Sequence, residues 1–344
     1  MRKPSLTIDD LKKKDVVSKK RSLLKTLLAA SAPASFEQLS RELKLTPAIV
    51  LHLAESLIRD GKSVSITRQG VQIVKDFLPG EHVVTIPKRG IQRIRFAATA
   101  DNHLVSKYSR LDVINALFDY WAAQGIDTVY QMGNIIDGEC RFNRYDLHVH
   151  GIDGQINYLI ENWPYRKGMT TQFITGDDHE GWYIQREGIN VGEHIEDKAR
   201  KAGRTDLQFL GHMEHNIRLQ RPGGESHMRI IHGGGGTAYA ISYTDQKYVE
   251  SLQGGEKPQL VLVGHYHKYN YGYPREVHAV QVGCTEDQTP FMRKKRIQAM
   301  VGGTIVEIEQ DETGIIRSCG VQWIPFYDRS FYAEGKLWKY RFKK

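Results

Sequence analysis

The side chains with the most obvious chemistry in this chain are carboxylates and imidazoles that each follow directly on a short apolar run. Ile94–Thr99 leads into Asp101 and His103, and Thr128–Met132 into Gly133-Asn134 and Asp137. Gln172–Thr175 leads into Gly176-Asp177-Asp178-His179-Glu180, Arg229–Ile231 into His232, and Leu260–Val263 into Gly264-His265-Tyr266-His267. A lone histidine after a strand is ordinarily a satisfied surface residue. Five such segments in series are hard to explain by packing, and strand ends of an open α/β sheet deliver their loops to one edge, where such proteins place their sites. Hard oxygen donors mixed with imidazole suit manganese, iron or zinc better than calcium or magnesium.

In order and spacing, the segments from Asp101 to His267 resemble the motifs of the calcineurin-like metallophosphoesterases, D-x-H, G-D-x-x-D, G-N-H-D/E, H-x and G-H-x-H, over roughly residues 91–300. The resemblance implies two divalent metal ions, with manganese favoured and iron or zinc the other candidates. Carried across position by position, it implies that Asp101, His103 and His267 hold one ion, that His232 and His265 hold the second, and that His179 protonates the leaving oxygen or steadies charge on phosphorus. Such an ion pair activates water for in-line attack on phosphorus, and an imidazole near its ordinary pKa suits the acid's task. Glu180 is expected to orient the His179 ring.

Two positions depart from the pattern. Asn134 stands where the family has a bridging aspartate, and Asp178 stands where it has a metal-binding asparagine. One reading is an exchange that conserves the charge of the site; another is that Asn134 disables it; a third lets Asp137 or Asp177 reach a metal.

The elements that must position these residues are legible as texture. From Ile91 onward short apolar strands alternate with longer helical patterns, the signature of an α/β domain. Leu111–Gln124, with Leu111, Ile114, Leu117, Phe118 and Trp121 on one face, reads as a crossover helix. The expected fold is a metallophosphoesterase ββ sandwich flanked by helices over residues 91–344, a topology the resemblance implies. Ahead of it, residues 16–80 carry three helical segments. Leu23, Leu24, Leu27 and Leu28 mark the first; Ser35 with Gln38 caps the second; Thr46-Pro47 opens the third, with Ile49, Val50, Leu53, Leu57 and Ile58 on its stripe. Val64–Thr67 and Val71–Val74 follow as a hairpin. This order resembles a small winged helix-turn-helix domain, and residues 1–15 read as a basic tail.

Charge supports that division. Residues 1–90 hold 17 Lys+Arg against 9 Asp+Glu, whereas the remainder holds 31 of each, so the whole net charge of +8 lies in the N-terminal quarter. Such asymmetry points to a polyanionic partner, nucleic acid and most simply DNA. Candidate phosphate contacts are Lys19, Lys20, Arg21 and Arg59 there, Arg141 and Arg144 after the second motif, and Arg293, Lys294 and Lys295 further on; a solvated basic face accounts for such runs equally well. Gly233–Gly236 could admit a phosphate to the backbone, and Trp182 or Tyr183 could stack on a base or pack in the core. Residues 336–344 alternate aromatic and basic side chains, as a strand with one apolar face would.

No apolar run approaches the length of a membrane helix, the N-terminus lacks the core of a secretory signal, and Cys140, Cys284 and Cys319 are too far apart for a metal or disulfide framework, which fits a reducing cytoplasm. The expectation is a metal-dependent phosphodiesterase, a DNA nuclease similar in chemistry to the Mre11 and SbcD nucleases. The alternatives are a phosphatase or nucleotide phosphodiesterase whose winged domain binds protein, and a catalytically disabled DNA-binding protein.

Overall fold

The computed structural model describes residues 13–29, 33–59, 64–67, 70–73, 80–236, 238–253, 255 and 257–326. The chain divides into two compact units that part between Leu78 and Pro79. In the first, α1 (Lys13–Ala29), α2 (Phe36–Leu43) and α3 (Pro47–Arg59) precede an antiparallel pair, β1 (Val64–Thr67) and β2 (Gly70–Ile73). The Ser35 hydroxyl accepts from the Gln38 amide at 3.2 Å and Thr46 does so from Ile49 at 3.4 Å, so both caps work as the sequence suggests. Leu23, Leu27, Leu39, Leu43, Ile49, Val50, Leu53, Leu57, Val64 and Val71 close a small core. The first helix begins at Lys13, inside the stretch read as tail; residues 1–12 and 336–344 lie outside the described residues.

The second unit opens with β3 (Gly80–Thr85) and β4 (Gln92–Thr99), then α4 (Leu111–Ala123), β5 (Thr128–Met132), α5 (Ile152–Asn162) and β6 (Thr170–Thr175). There follow α6 (Gly181–Glu187), α7 (Val191–Lys201), β7 (Leu207–His212), β8 (Glu214–Arg221), β9 (Gly224–His232) and α8 (Tyr243–Ser251). The unit continues with β10 (Leu260–Gly264), β11 (Tyr269–Gly272), β12 (His278–Val282), α9 (Pro290–Lys295), β13 (Gly302–Gln310) and β14 (Ile316–Pro325). Two mixed six-stranded sheets result, ordered β14-β13-β4-β5-β6-β7 and β11-β12-β10-β9-β8-β3. The strand β3 comes from the stretch left between the two expected domains; it pairs in parallel with β8 and so belongs to the second unit.

The layering follows from period-2 alternation on strands buried on both faces. Ala97, Val129 and Phe173 face one core with Leu117, Trp121, Ile156 and Ile195 of the helices, while their neighbours Phe96, Ala98, Tyr130 and Ile174 face the other sheet. From that sheet Met228, Ile230, Leu260, Leu262 and Val280 meet them, and Val261 and Val263 turn outward to pack with Val249 of α8. The order is helix, sheet, sheet, helix. Among the described residues no helix is long and apolar enough to cross a membrane.

Candidate metal centre

Asp101 and His103 lie just past β4, Asn134 and Asp137 past β5, and Asp178 and His179 past β6; His232 ends β9, and His265 and His267 follow β10. Strands β4, β5 and β6 are parallel in one sheet, as β9 and β10 are in the other. Each sheet therefore delivers its loops at a single edge, and the two edges meet. The turns are sharp. Asp101 (φ 49°), His103 (44°), Asn134 (55°), His179 (46°), His265 (82°) and His267 (54°) all adopt left-handed backbone. Asp, Asn and His are the non-glycine types that enter this region most readily, so ligand chemistry and backbone geometry select the same residues. Gly133 admits the neighbouring ring: a Cβ there would sit 2.4 Å from His232 Nδ1.

The donors named from the sequence as metal-binding form two groups; a third cluster able to hold an ion, His103, Asp137 and His179, shares His103 with the first. In the first, Asp101 Oδ1 lies 3.9 Å from His103 Nε2 and 3.7 Å from His267 Nε2, with the two imidazole nitrogens 3.3 Å apart. In the second, Asp178 Oδ1 lies 3.2 Å from His232 Nε2, and its Oδ2 lies 3.4 Å from His265 Nδ1. Asn134 sits between the groups, its Nδ2 3.1 Å from Asp178 Oδ1 and 3.5 Å from Asp101 Oδ1. All seven residues named from the sequence as metal-binding are thus brought together, whereas Asp177 belongs to neither group.

The donor set fits divalent cations. Asn134 Oδ1, His265 Nδ1 and His267 Nδ1 are buried without a hydrogen-bond partner, and leaving one such atom unpaired costs about 1–3 kcal/mol. Three in one place describe ligand atoms. With ions bound, the Asn134 amide would turn its oxygen toward them.

The residues behind the ligands differ from expectation. Glu180 is fully buried, but it accepts from the amides of Asn134 (2.7 Å), Ile135 (3.0 Å), Ile136 (3.3 Å) and Gly176 (2.9 Å). It braces the Asn134 loop against the Asp178 loop and does not orient His179. Burial raises its pKa to about 7 despite those bonds. Asp137 does the orienting: its Oδ1 receives His103 Nδ1 at 2.7 Å and lies 3.0 Å from His179 Nδ1, whose other partner is the Asp137 carbonyl at 3.0 Å. Burial alone would lower the His179 pKa, yet the hydrogen bond and charge of Asp137 lift it to about 10. His179 therefore keeps its proton at neutral pH, with Nδ1 engaged and Nε2 left for the cavity it lines. Trp182 stacks on its ring, centroids 4.6 Å apart; Tyr183 is buried in the core. Sequence reasoning missed Glu286, four residues past β12, whose Oε2 lies 3.8 Å from His103 Nε2. Its signal is the same as that of the five motifs, an apolar strand running into a carboxylate.

These groups line a cavity of about 750 Å³, whose outer wall includes Phe142, Trp182, Phe291, Gly235, Gly236 and Lys295. Phe142 and Phe291 are 63% and 52% exposed, too much for core residues of their size. Gly235 contributes its carbonyl, which takes His265 Nε2 at 2.9 Å. Of the basic candidates, Lys295 lines this cavity, with Arg293 and Lys294 exposed beside it on α9. Arg141 and Arg144 line a neighbouring depression, where Arg144 pairs with Glu139 at 3.2 Å. Neither lines the cavity of the metal groups. In the first unit Arg21 is exposed and Lys19 Nζ donates to the Leu43 carbonyl at 3.5 Å. Lys20 lies on the same helix, and the side chain of Arg59 lies outside the described residues.

No protein-family model matches the sequence, and no curated protein does. Solved structures that align with it include an archaeal phosphodiesterase, 12% identical over 68% of this chain and 100% of its own, with a TM-score of 0.37. The zinc complex of Vps29 from Entamoeba histolytica is 11% identical over 68% and 100%, with a TM-score of 0.31. A 5'-nucleotidase precursor from Thermus thermophilus is 13% identical over 72% and 58%, with a TM-score of 0.35. At such scores these likenesses carry no argument, and the functional reading rests on the site itself.

Proposed function

We propose that this protein is a two-metal phosphodiesterase acting on nucleic acid, with DNA the favoured substrate. The observation that carries the reading is the pairing of two carboxylate–imidazole groups on either side of Asn134, with His179 held beside them by Asp137. Bound divalent cations would supply Lewis-acid activation of water and of the phosphoryl oxygens. Asp101, His103 and His267 would hold one, Asp178, His232 and His265 the other, and Asn134 would offer its single oxygen between them. Asp137 fixes the His179 tautomer and ring plane; His179 Nε2 then donates its proton to the departing oxygen.

The phosphodiester assignment rests on surroundings. Phe142, Trp182 and Phe291 at the cavity wall offer faces on which bases stack, and Lys295 adds a positive charge there. The first unit, read as a winged helix-turn-helix domain, carries the basic excess and would add phosphate contacts through Lys19, Lys20 and Arg21. Manganese is the favoured ion.

The test is cleavage of end-labelled single- and double-stranded DNA with Mn²⁺ by this chain, by His179→Ala and by Asn134→Asp. Cleavage that His179→Ala loses supports the reading. An inert parent revived by Asn134→Asp would identify a disabled pocket. Turnover of a simple phosphate ester with no DNA cleavage would make the protein a phosphatase.

A further inference from the structure

Glu286 lies 3% exposed at the floor of the cavity. Its strand, β12, pairs in parallel with β10, the strand that carries His265 and His267, so its carboxyl end opens at the same edge. One carboxylate oxygen is accounted for: Oε1 accepts from the Ser106 hydroxyl at 2.8 Å. The other, Oε2, lies 3.8 Å from His103 Nε2 and 3.9 Å from His267 Nδ1, and the latter is itself a buried atom without a hydrogen-bond partner. Two ligands of one zinc-sized ion, each about 2.0–2.2 Å away, stand no more than about 4.4 Å apart. The 3.8 and 3.9 Å separations of Glu286 from His103 Nε2 and His267 Nδ1 fall inside that limit, as does the 3.9 Å separation of Asp101 from His103; Asp101 meets His267 at the other ring nitrogen, Nε2.

Charge leads to the same place. The residue lying between the two groups, Asn134, is neutral, so each cation must find its counter-charge within its own half. Burying a carboxylate is costly without a countercharge, and one serine hydroxyl is a poor substitute for water. We infer that Glu286 is a direct ligand of the first cation, giving it a second carboxylate beside Asp101. The inference rests on the two-metal reading above. It gives the first half-site the donors Asp101, His103, His267 and Glu286, a mixed carboxylate and imidazole set of the kind manganese, iron and zinc accept.

The experiment is calorimetric titration of metal-stripped protein with Zn²⁺, for the parent, Glu286→Gln and Glu286→Asp. The parent is expected to bind two ions. Glu286→Gln should weaken one of them by more than about 100-fold, beyond the roughly 10–100-fold typical of a residue that only supports a ligand, and leave the other unchanged, with Glu286→Asp recovering part of the loss. Two ions bound by Glu286→Gln as tightly as by the parent, or both weakened together, would overturn the assignment. A parent that binds no ion would instead bring down the two-metal reading itself. Should Glu286→Gln fail to fold, crystals of the parent soaked in Zn²⁺ decide the matter. A Glu286 oxygen about 2.0–2.2 Å from the ion supports the assignment, and no Glu286 oxygen in direct contact with the ion refutes it.

Discussion

The two halves of the metal centre draw on the same residue types but sit differently toward solvent. In the first, the side chains of Asp101, His103 and His267 are 0%, 1% and 10% exposed, and that of Glu286 is 3% exposed. In the second, Asp178 and His265 are 31% and 17% exposed, and only His232 is fully enclosed. A charge withdrawn from water acts through a lower effective dielectric and is felt more strongly. The closed half is therefore suited to fix a cation before substrate arrives, and the open half to meet the substrate. The protonation pattern is mixed: burial would lower the His103 pKa, but Glu286 and Asp137 raise it. Burial disfavours the Asp178 anion, but the His232 and His265 imidazoles beside it overcome that and hold its pKa well below the carboxylate range. Burial and the neighbouring imidazoles press His267 well below its ordinary value, so it is a ready neutral ligand.

The largest effect should come from taking the only carboxylate out of the second group. Asp178→Asn is expected to cost several kcal/mol of transition-state stabilisation, about three to four decades in phosphodiester turnover. Adding Asn134→Asp should recover much of it by returning a negative charge between the halves. A double variant as inactive as the single one would mean that the halves do not share charge through position 134.

His179→Ala should lower kcat by about two to three decades while metal analysis still finds two ions, as the proposed role of the ring as proton donor requires. Asp137→Asn, which loosens both His179 and His103, should cost about one to two decades and move the pH–rate profile. An unchanged profile would relegate Asp137 to a structural role.

Exposure also predicts kinetics. Mixing the loaded protein with a chromogenic chelator should release one ion quickly from the open half and the other slowly. A single phase of two-ion amplitude would erase the distinction drawn above.

The smallest effect is a control with a buried carboxylate that no histidine answers. Burial holds the Asp245 pKa up at about 6, against the hydrogen bond from Asn270. A raised acid pKa means full stability at low pH, lost progressively as pH rises from about 4 toward 6. At about 1.4 kcal/mol per unit the loss is at most about 3 kcal/mol. Asp245→Asn should therefore melt close to the parent at pH 4 and a few degrees above it at pH 7.5, as thermal scans at the two values would show.

Much of this centre was legible in the chain because its ligands follow strands, and strands buried on both faces announce themselves as apolar runs. The departures at Asn134 and Asp178 were visible too, since a resemblance in spacing exposes a residue that breaks it. Glu286 carried the same signal, a carboxylate soon after an apolar run, but nothing local marked it as part of the site. Its place in the site depends on β12 lying next to β10, a sheet order that local sequence does not encode, and Gly283-Cys284-Thr285 reads as an ordinary turn. The task given to Glu180 was misread for a related reason. A carboxylate beside a histidine suggests a pair, whereas the left-handed turn at His179 sends the next side chain back to the amides of the neighbouring loop. The strand β3 escaped because Pro79-Gly80 and Pro87 made its surroundings look like linker, and its partner β8 is more than a hundred residues away.

The left-handed turn at Asn134 has an evolutionary corollary. A residue there must pass two filters, a donor atom on a short side chain and tolerance of positive φ, and few amino acids pass both. Asparagine and aspartate do, and a single nucleotide change converts one into the other. Position 134 is thus a point where the centre's formal charge can change by one unit while the polypeptide keeps its course. Selection for a different ion, or for a substrate carrying more or less negative charge, has a short mutational path through it.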